Sequence, residues 1–176
     1  MYSATSQNTE DIILHMIDLK YHMNKILSID VIKKTITIEG GVTLKQVLDA
    51  LSEEGSLSMP NLPSITGITV AGLISTGTHG TGINNQVMAS MVTEIEFVSG
   101  TGELIVCSKT EREDLFNAMQ CSLGALGIIT RLTLQVESAY RLECFERTMN
   151  INDLLDNYES LLKSNDFFRF WWIPHT

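Results

Sequence analysis

The sequence predicts an α+β fold, and three observations carry that prediction. Short runs alternate with period two, as in Thr35-Ile36-Thr37-Ile38-Glu39, the mark of a strand with one buried face. Other segments repeat apolar residues at three- and four-residue spacing behind capping residues, the mark of amphipathic helices. The two kinds of segment are grouped rather than strictly alternating as β-α-β units. The chain has 176 residues, of which 44% are hydrophobic, enough for one domain or for one plus part of another.

The elements follow in order. Asp11–Leu19, DIILHMIDL, is a nearly continuous apolar run and is expected to be a buried strand. Two strands should meet near Asp30 to Lys34, with Gly40-Gly41 ending the second. Thr43 is placed to cap a helix that buries Leu44, Val47, Leu48 and Leu51 and stops at Gly55. MPNLPSITGIT, with two prolines, an asparagine and a glycine, reads as loop. Val92, Ile95, Phe97 and Val98 form one arm of a β-hairpin and Leu104, Ile105 and Val106 the other, around SGTG. Thr110 and Glu113 have capping-box spacing, ahead of a helical stripe of Leu115, Phe116, Met119 and Leu123. GIITRLTLQV is again a strand. From about Tyr140 the pattern changes: YRLECFERTMN alternates like a new strand. A helix follows with Leu154, Leu155, Tyr158, Leu161 and Leu162 inward, and DFFRFWWIPHT reads as a dense aromatic strand. The domain boundary is read between 138 and 139.

Composition excludes several classes. A net charge of −9, with scattered basic residues, disfavours nucleic acid. Cys107, Cys121 and Cys144 are odd in number and widely spaced, so they give neither a disulfide framework nor a zinc pattern. No metal site is expected. No apolar run approaches the roughly 18 residues of a membrane span, and the N-terminus does not have the layout of a secretory signal.

The stretch TVAGLISTGTHGTG, Thr69 to Gly82, is the densest in glycine. Glycine allows close approach of a ligand to backbone, and successive free N–H groups make a hollow for an anion. It lacks the Gly-Lys-Ser/Thr of a Walker A loop and the spacing and preceding strand of a G-x-G-x-x-G dinucleotide fingerprint. Two readings remain open on the residues alone. One is a ligand cradle. The other is a tight connection whose Ser and Thr hydroxyls bond their own backbone. His79 by itself reads more readily as a packed or backbone-bonded imidazole than as a catalyst.

The ordered set of ILSIDVIKKTITIEGGVTLKQVLDAL, MPNLPSITGITVAGLISTGTHGTGINN, EIEFVSGTGELIVCS and LGALGIITRLTLQV resembles the PCMH-type FAD-binding domain of the vanillyl-alcohol oxidase superfamily. Within it the chain is most similar to the sugar-1,4-lactone oxidases of the L-gulonolactone oxidase type. DNYESLLKSNDFFRFWWIPHT resembles the start of their substrate domain. The resemblance implies a mixed or antiparallel sheet with flanking helices over residues 1–138, the second half of the FAD-binding domain, and the beginning of an α+β cap domain over 139–176. It implies FAD as cofactor. It also implies that Ser64, Ile65, Thr66, Ala71, Gly72, Ser75, Thr76, Gly77, Thr78, His79, Gly80 and Gly82 wrap the diphosphate and flavin. Thr78 and His79 are then nearest the ring, and Gly127, Ile128 and Ile129 contact the adenosine end through main chain. GALGII reads equally well as a helix stop feeding a core strand.

The departures matter as much. The family's first half carries a glycine loop and a Gly-Gly-x-His-Ser segment whose His links covalently to flavin, and this chain begins about where that segment has passed. Neither His15 nor His22 has a glycine-rich context, and no residue is singled out as catalytic. The family's C-terminal His-Trp-x-Lys has no counterpart here, and His175 carries no assigned role. The resemblance implies oxidation of a sugar-1,4-lactone with O2 as acceptor, giving H2O2, by a complete enzyme of which this chain is a fragment, inactive alone. Alternatives are a non-catalytic relic or interaction module without flavin, and a flavin dehydrogenase for another hydroxy substrate. Relatives are often membrane-associated in the endoplasmic reticulum or mitochondrion, and the compartment of this chain is left open. FFRFWW reads as a buried strand in the complete enzyme; left uncovered in the isolated chain, it is expected to cause self-association.

Overall fold

The computed structural model describes residues 16–174. β1 (Ile26–Asp30) and β2 (Thr35–Glu39) form the expected hairpin, and its turn places Lys34 at φ 53°. Gly40-Gly41 follows, its two amides donating to Thr130 O and Met23 O. Of the strand expected over Asp11–Leu19, residues 11–15 lie outside the described part and 16–19 join no ladder.

α1 (Leu44–Glu54) forms as its sequence dictates. Thr43 Oγ1 accepts from Gln46 N–H while Gln46 Oε1 accepts from Thr43 N–H, a complete capping box, and Gly55 closes the helix at φ 84°. β3 (Leu57–Ser58) follows, then the expected loop. α2 (Val70–Ser75) was not expected: the first half of the glycine-rich stretch is a helix, capped by Thr69 Oγ1 on Gly72 N–H. Its apolar residues Val70, Leu73 and Ile74 are all buried, which outweighs the glycine at 72. A single 3-10 turn (Met88–Met91) leads into β4 (Val92–Ser99), which pairs with β5 (Leu104–Ser108) as the hairpin reading requires.

α3 (Glu113–Met119) corrects two expectations. The Thr110–Glu113 capping box does not form: Arg112, in the left-handed region at φ 55°, occupies the cap, and Thr110 N–H turns to Ser108 Oγ. The helix ends before Leu123, which is 76% exposed at φ 52°. β6 (Gly127–Gln135) and β7 (Glu137–Ser138) follow, and α4 (Ile151–Lys163) is capped by Asn150.

The main sheet runs β1-β2-β6-β4-β5 and every pairing is antiparallel. β3 and β7 form a separate two-stranded ladder. One face of the main sheet carries Ile36, Ile38, Ile95, Phe97, Cys107, Leu132 and Leu134, all buried, and shares one core with Leu44, Val47 and Leu51 of α1, Val70, Leu73 and Ile74 of α2, and Phe116 and Met119 of α3. Each such side chain contributes roughly 1.5–3 kcal/mol relative to exposure. The other face is polar and half-buried: Thr37 Oγ1 bonds Thr133 Oγ1 at 3.1 Å, and Arg131 pairs with Glu96 at 2.8 Å.

Beyond Ser138 the expected strands are not formed. Residues 139–150 carry no strand, and 166–174 contribute one bridge, Phe167 to Gly82. The alternation is present, but no neighbouring strand among the described residues offers a ladder. α4 buries only Leu154; Leu155 and Tyr158 are exposed rather than inward.

Candidate functional site

After α2 the chain leaves the helix through Gly77, at φ 65°, which the left-handed region favours. Thr78 N–H donates to Leu73 O, and the segment from His79 to Gly82 then runs along the loop of residues 60–62. Its backbone carbonyls are used: Thr78 O accepts from Met88 N–H, Thr81 O from Phe168 N–H and Gly82 O from Asn85 N–H. Gly80 O is 2.8 Å from His79 Nδ1. A carbonyl can only accept, so Nδ1 carries the proton in that bond. The amides of His79, Gly80, Thr81 and Gly82 donate to no group among the described residues. The segment therefore offers four open donors, and three of its four carbonyls, those of Gly80, Thr81 and Gly82, already accept a hydrogen bond. Such a donor-rich edge is complementary to phosphate oxygens or to the acceptor edge of a heterocycle.

The hydroxyls divide between the two readings of the stretch. Ser75 Oγ donates to Ala71 O and Thr76 Oγ1 to Gly72 O, both back onto α2. Thr76 Oγ1 also lies 3.2 Å from Thr78 Oγ1. The Ser75 and Thr76 hydroxyls thus bond the backbone of α2, which ends at Ser75, whereas the amides of 79–82 stay open. His79 is exposed and bonded to backbone rather than to another side chain.

Ser64, Ile65 and Thr66 form the neighbouring loop. Ser64 and Ile65 are exposed, Ser64 Oγ is 3.5 Å from an Arg169 nitrogen, and Thr66 O accepts from Lys45 N–H. Gly127, Ile128 and Ile129 open β6 and pair with Ser99, Val98 and Phe97 of β4. That is the core-strand reading of GALGII, and Ile129 is buried. No hydrogen bond among the described residues joins 127–129 to 71–82; the link is one residue run away, where Leu123 N–H donates to Ser75 O. His22 is exposed, and His15 and His175 lie outside the described residues.

Burial raises the Cys107 thiol above its ordinary range, opposed by Arg112, which leaves it a protonated core side chain. Among the described residues no three His, Cys, Asp or Glu side chains are grouped to hold a metal, and no helix is long and apolar enough to cross a membrane. Two residues beside the turn escaped the sequence reading. Asn61 and Asn85 face Gly80 and Gly82. Asn61 sits between Pro60 and Pro63, where its polarity reads as loop, and only its burial sets it apart.

Two family models match the chain: an FAD binding domain over residues 3–108 and D-arabinono-1,4-lactone oxidase over 132–176. Among curated proteins, L-gulonolactone oxidase of Bos taurus is 33% identical over 168 residues, 96% of this chain and 37% of that protein. D-arabinono-1,4-lactone oxidase of Candida albicans is 36% identical over 141 residues, 80% of this chain and 25% of that protein. Of solved structures, 6-hydroxy-D-nicotine oxidase from Arthrobacter nicotinovorans superposes with a TM-score of 0.60 at 24% identity, covering 66% of this chain and 25% of that one. The chain thus spans little more than a third of the bovine relative's length.

Proposed function

This chain belongs to the FAD-binding domain family, and from that premise we propose that it forms half of an FAD cradle in an aldonolactone oxidase. The observation that carries the reading is the His79–Gly82 segment, with four free amides and with three of its four carbonyls already hydrogen-bonded within the protein. FAD presents a diphosphate dianion and a ring edge rich in acceptors, and a donor-rich segment fits both. His79 to Gly82 would hold the nucleotide, with Thr78 at the entrance and the exposed Ser64–Thr66 loop beside it. The Gly127–Ile129 main chain would serve the adenosine end. Bound FAD supplies the two-electron chemistry. The residues of this chain bind, orient and keep bulk away from the approach.

In the complete enzyme the substrate is a sugar-1,4-lactone of the L-gulono type, and O2 takes the electrons to give H2O2. Residues 1–138 belong to the FAD domain and 139–176 begin the substrate domain. This division is supported by the change at Ala139, after which no strand forms before α4. Taken alone, the chain does not turn over lactone. Hydrogen bonds to charged groups are worth about 1.5–3 kcal/mol each, so contacts missing from the other half weaken FAD by several decades.

Titrating isotope-labelled chain with FAD tests the reading. The expected result is a weak, saturable displacement of the His79–Gly82 amide signals while Ile32 and Lys33 in the β1–β2 turn, at the other end of β6 from Gly127, stay still. Millimolar FAD that leaves those four amides unmoved favours a relic or interaction module without flavin. Lactone-dependent peroxide from a longer version of the protein separates oxidase from dehydrogenase.

A further inference from the structure

Asn61 is 2% exposed, one of two buried polar residues among those described, and its Oδ1 has no hydrogen-bond donor. A buried amide in that condition calls for a reason. Its Nδ2 donates to Gln86 O at 3.4 Å, while Asn85 Nδ2 donates back to Pro60 O at 3.3 Å. Two asparagines thus tie the 60–62 loop to the 82–86 loop reciprocally. Both also press on the turn between them. A Cβ on Gly80 would collide with the Asn61 amide and the Leu62 carbonyl, and a Cβ on Gly82 with the Asn85 amide. The bare Cα of Gly80 therefore faces Asn61 Oδ1, the arrangement of a weak Cα–H···O contact. The amides of the same turn are the ones left free.

We propose that Asn61 is a positioning residue, which holds Gly80 from behind and so aims the open amides of His79–Gly82 toward the flavin nucleotide. The inference rests on the FAD reading above and adds to it the side chain that sets the turn. Asn61 touches no ligand itself. Its polar oxygen against Gly80 is the feature an apolar side chain of the same size lacks.

Asn61→Leu fills the same space without either polar end. In the chain without FAD, the substitution should move the amide signals of His79–Gly82 and the His79 ring signals, while thermal unfolding stays cooperative. Asn61→Leu is expected to raise the Kd for FAD about tenfold, and at a fixed FAD concentration far below saturation, where bound fraction scales inversely with Kd, the FAD-induced displacement should fall by about the same factor. Asn61→Asp, which keeps an oxygen against Gly80, should restore most of the free-chain signal positions. Should Asn61→Leu unfold the chain, Asn61→Ala, which removes the amide without adding bulk, is the second probe, expected to move the same His79–Gly82 signals, and unmoved signals there overturn the proposal as well. Unchanged 79–82 signals in a folded Asn61→Leu chain overturn the proposal. A wild-type chain that ignores FAD, while Asn61→Leu still moves the turn, overturns the flavin reading and leaves the positioning role standing.

Discussion

Tyr140 shows how one side chain records its surroundings. Its hydroxyl donates to Met59 O at 3.0 Å, across 81 residues of sequence. Burial raises its pKa, the Glu137 carboxylate adds to the rise, and the Ser58 hydroxyl opposes it. A raised folded-state pKa means the unfolded chain loses this proton first. The stabilisation is whole below the ordinary tyrosine value near 10 and disappears as pH climbs through the higher folded value. Tyr140→Phe should cost about 0.5–1.5 kcal/mol at neutral pH from the lost hydrogen bond, read as a lower urea midpoint. The gap to wild type should narrow above pH ~10; a constant gap up to pH 12 would assign the effect to packing alone. At this scale the glycines of the candidate site were legible in the sequence, because a backbone without Cβ is visible as a letter. Asn61 was not, since its role comes from enclosure by a segment 25 residues away.

α1 is the element whose local code is most complete: cap, reciprocal glutamine, apolar stripe and left-handed stop all agree. Thr43→Ala should therefore lower stability by about 1 kcal/mol, and Thr43→Ser should recover most of it. Paired denaturant midpoints measure both, and equal loss from Ala and Ser would implicate the methyl group instead. Thr110–Glu113 has the same spacing and no such effect is expected from Thr110→Ala, because Arg112 sits at the cap. The difference lies in the entry of the chain: the Ser108–Glu111 bridge after β5 takes up the Thr110 backbone before the helix begins. α2 was hidden for the opposite reason. Six residues with an internal glycine have poor helical propensity, and it is tertiary burial of Val70, Leu73 and Ile74 that decides their conformation. The alternating segments after Ser138 read as strands because alternation reports a preferred face, whereas a strand also needs an edge to pair with.

Large apolar side chains beyond Ser138 add to the exposed surface: Trp171 is 82% exposed, Trp172 66%, and Phe145 78%. We expect the isolated chain to associate with copies of itself through this surface. On size exclusion its apparent mass should rise with concentration above 19.6 kDa, and Trp171→Ser with Trp172→Ser should bring it back toward monomer. A wild-type chain that elutes as a monomer at every concentration would count against the expectation. The antiparallel core was legible in the order of alternating segments; which strand lay in the middle was not, since pairing of β2 with β6 joins residues 35–39 to 131–135. That placement bears on biosynthesis. β6 is central in the sheet yet is the last of its five strands to leave the ribosome. Until Gln135 emerges, the β1–β2 and β4–β5 hairpins have no strand to join them, and the core they share with α1, α2 and α3 is open at its centre. The final strand zips them together in one late event, so the interval before its arrival is when a chaperone has most to protect.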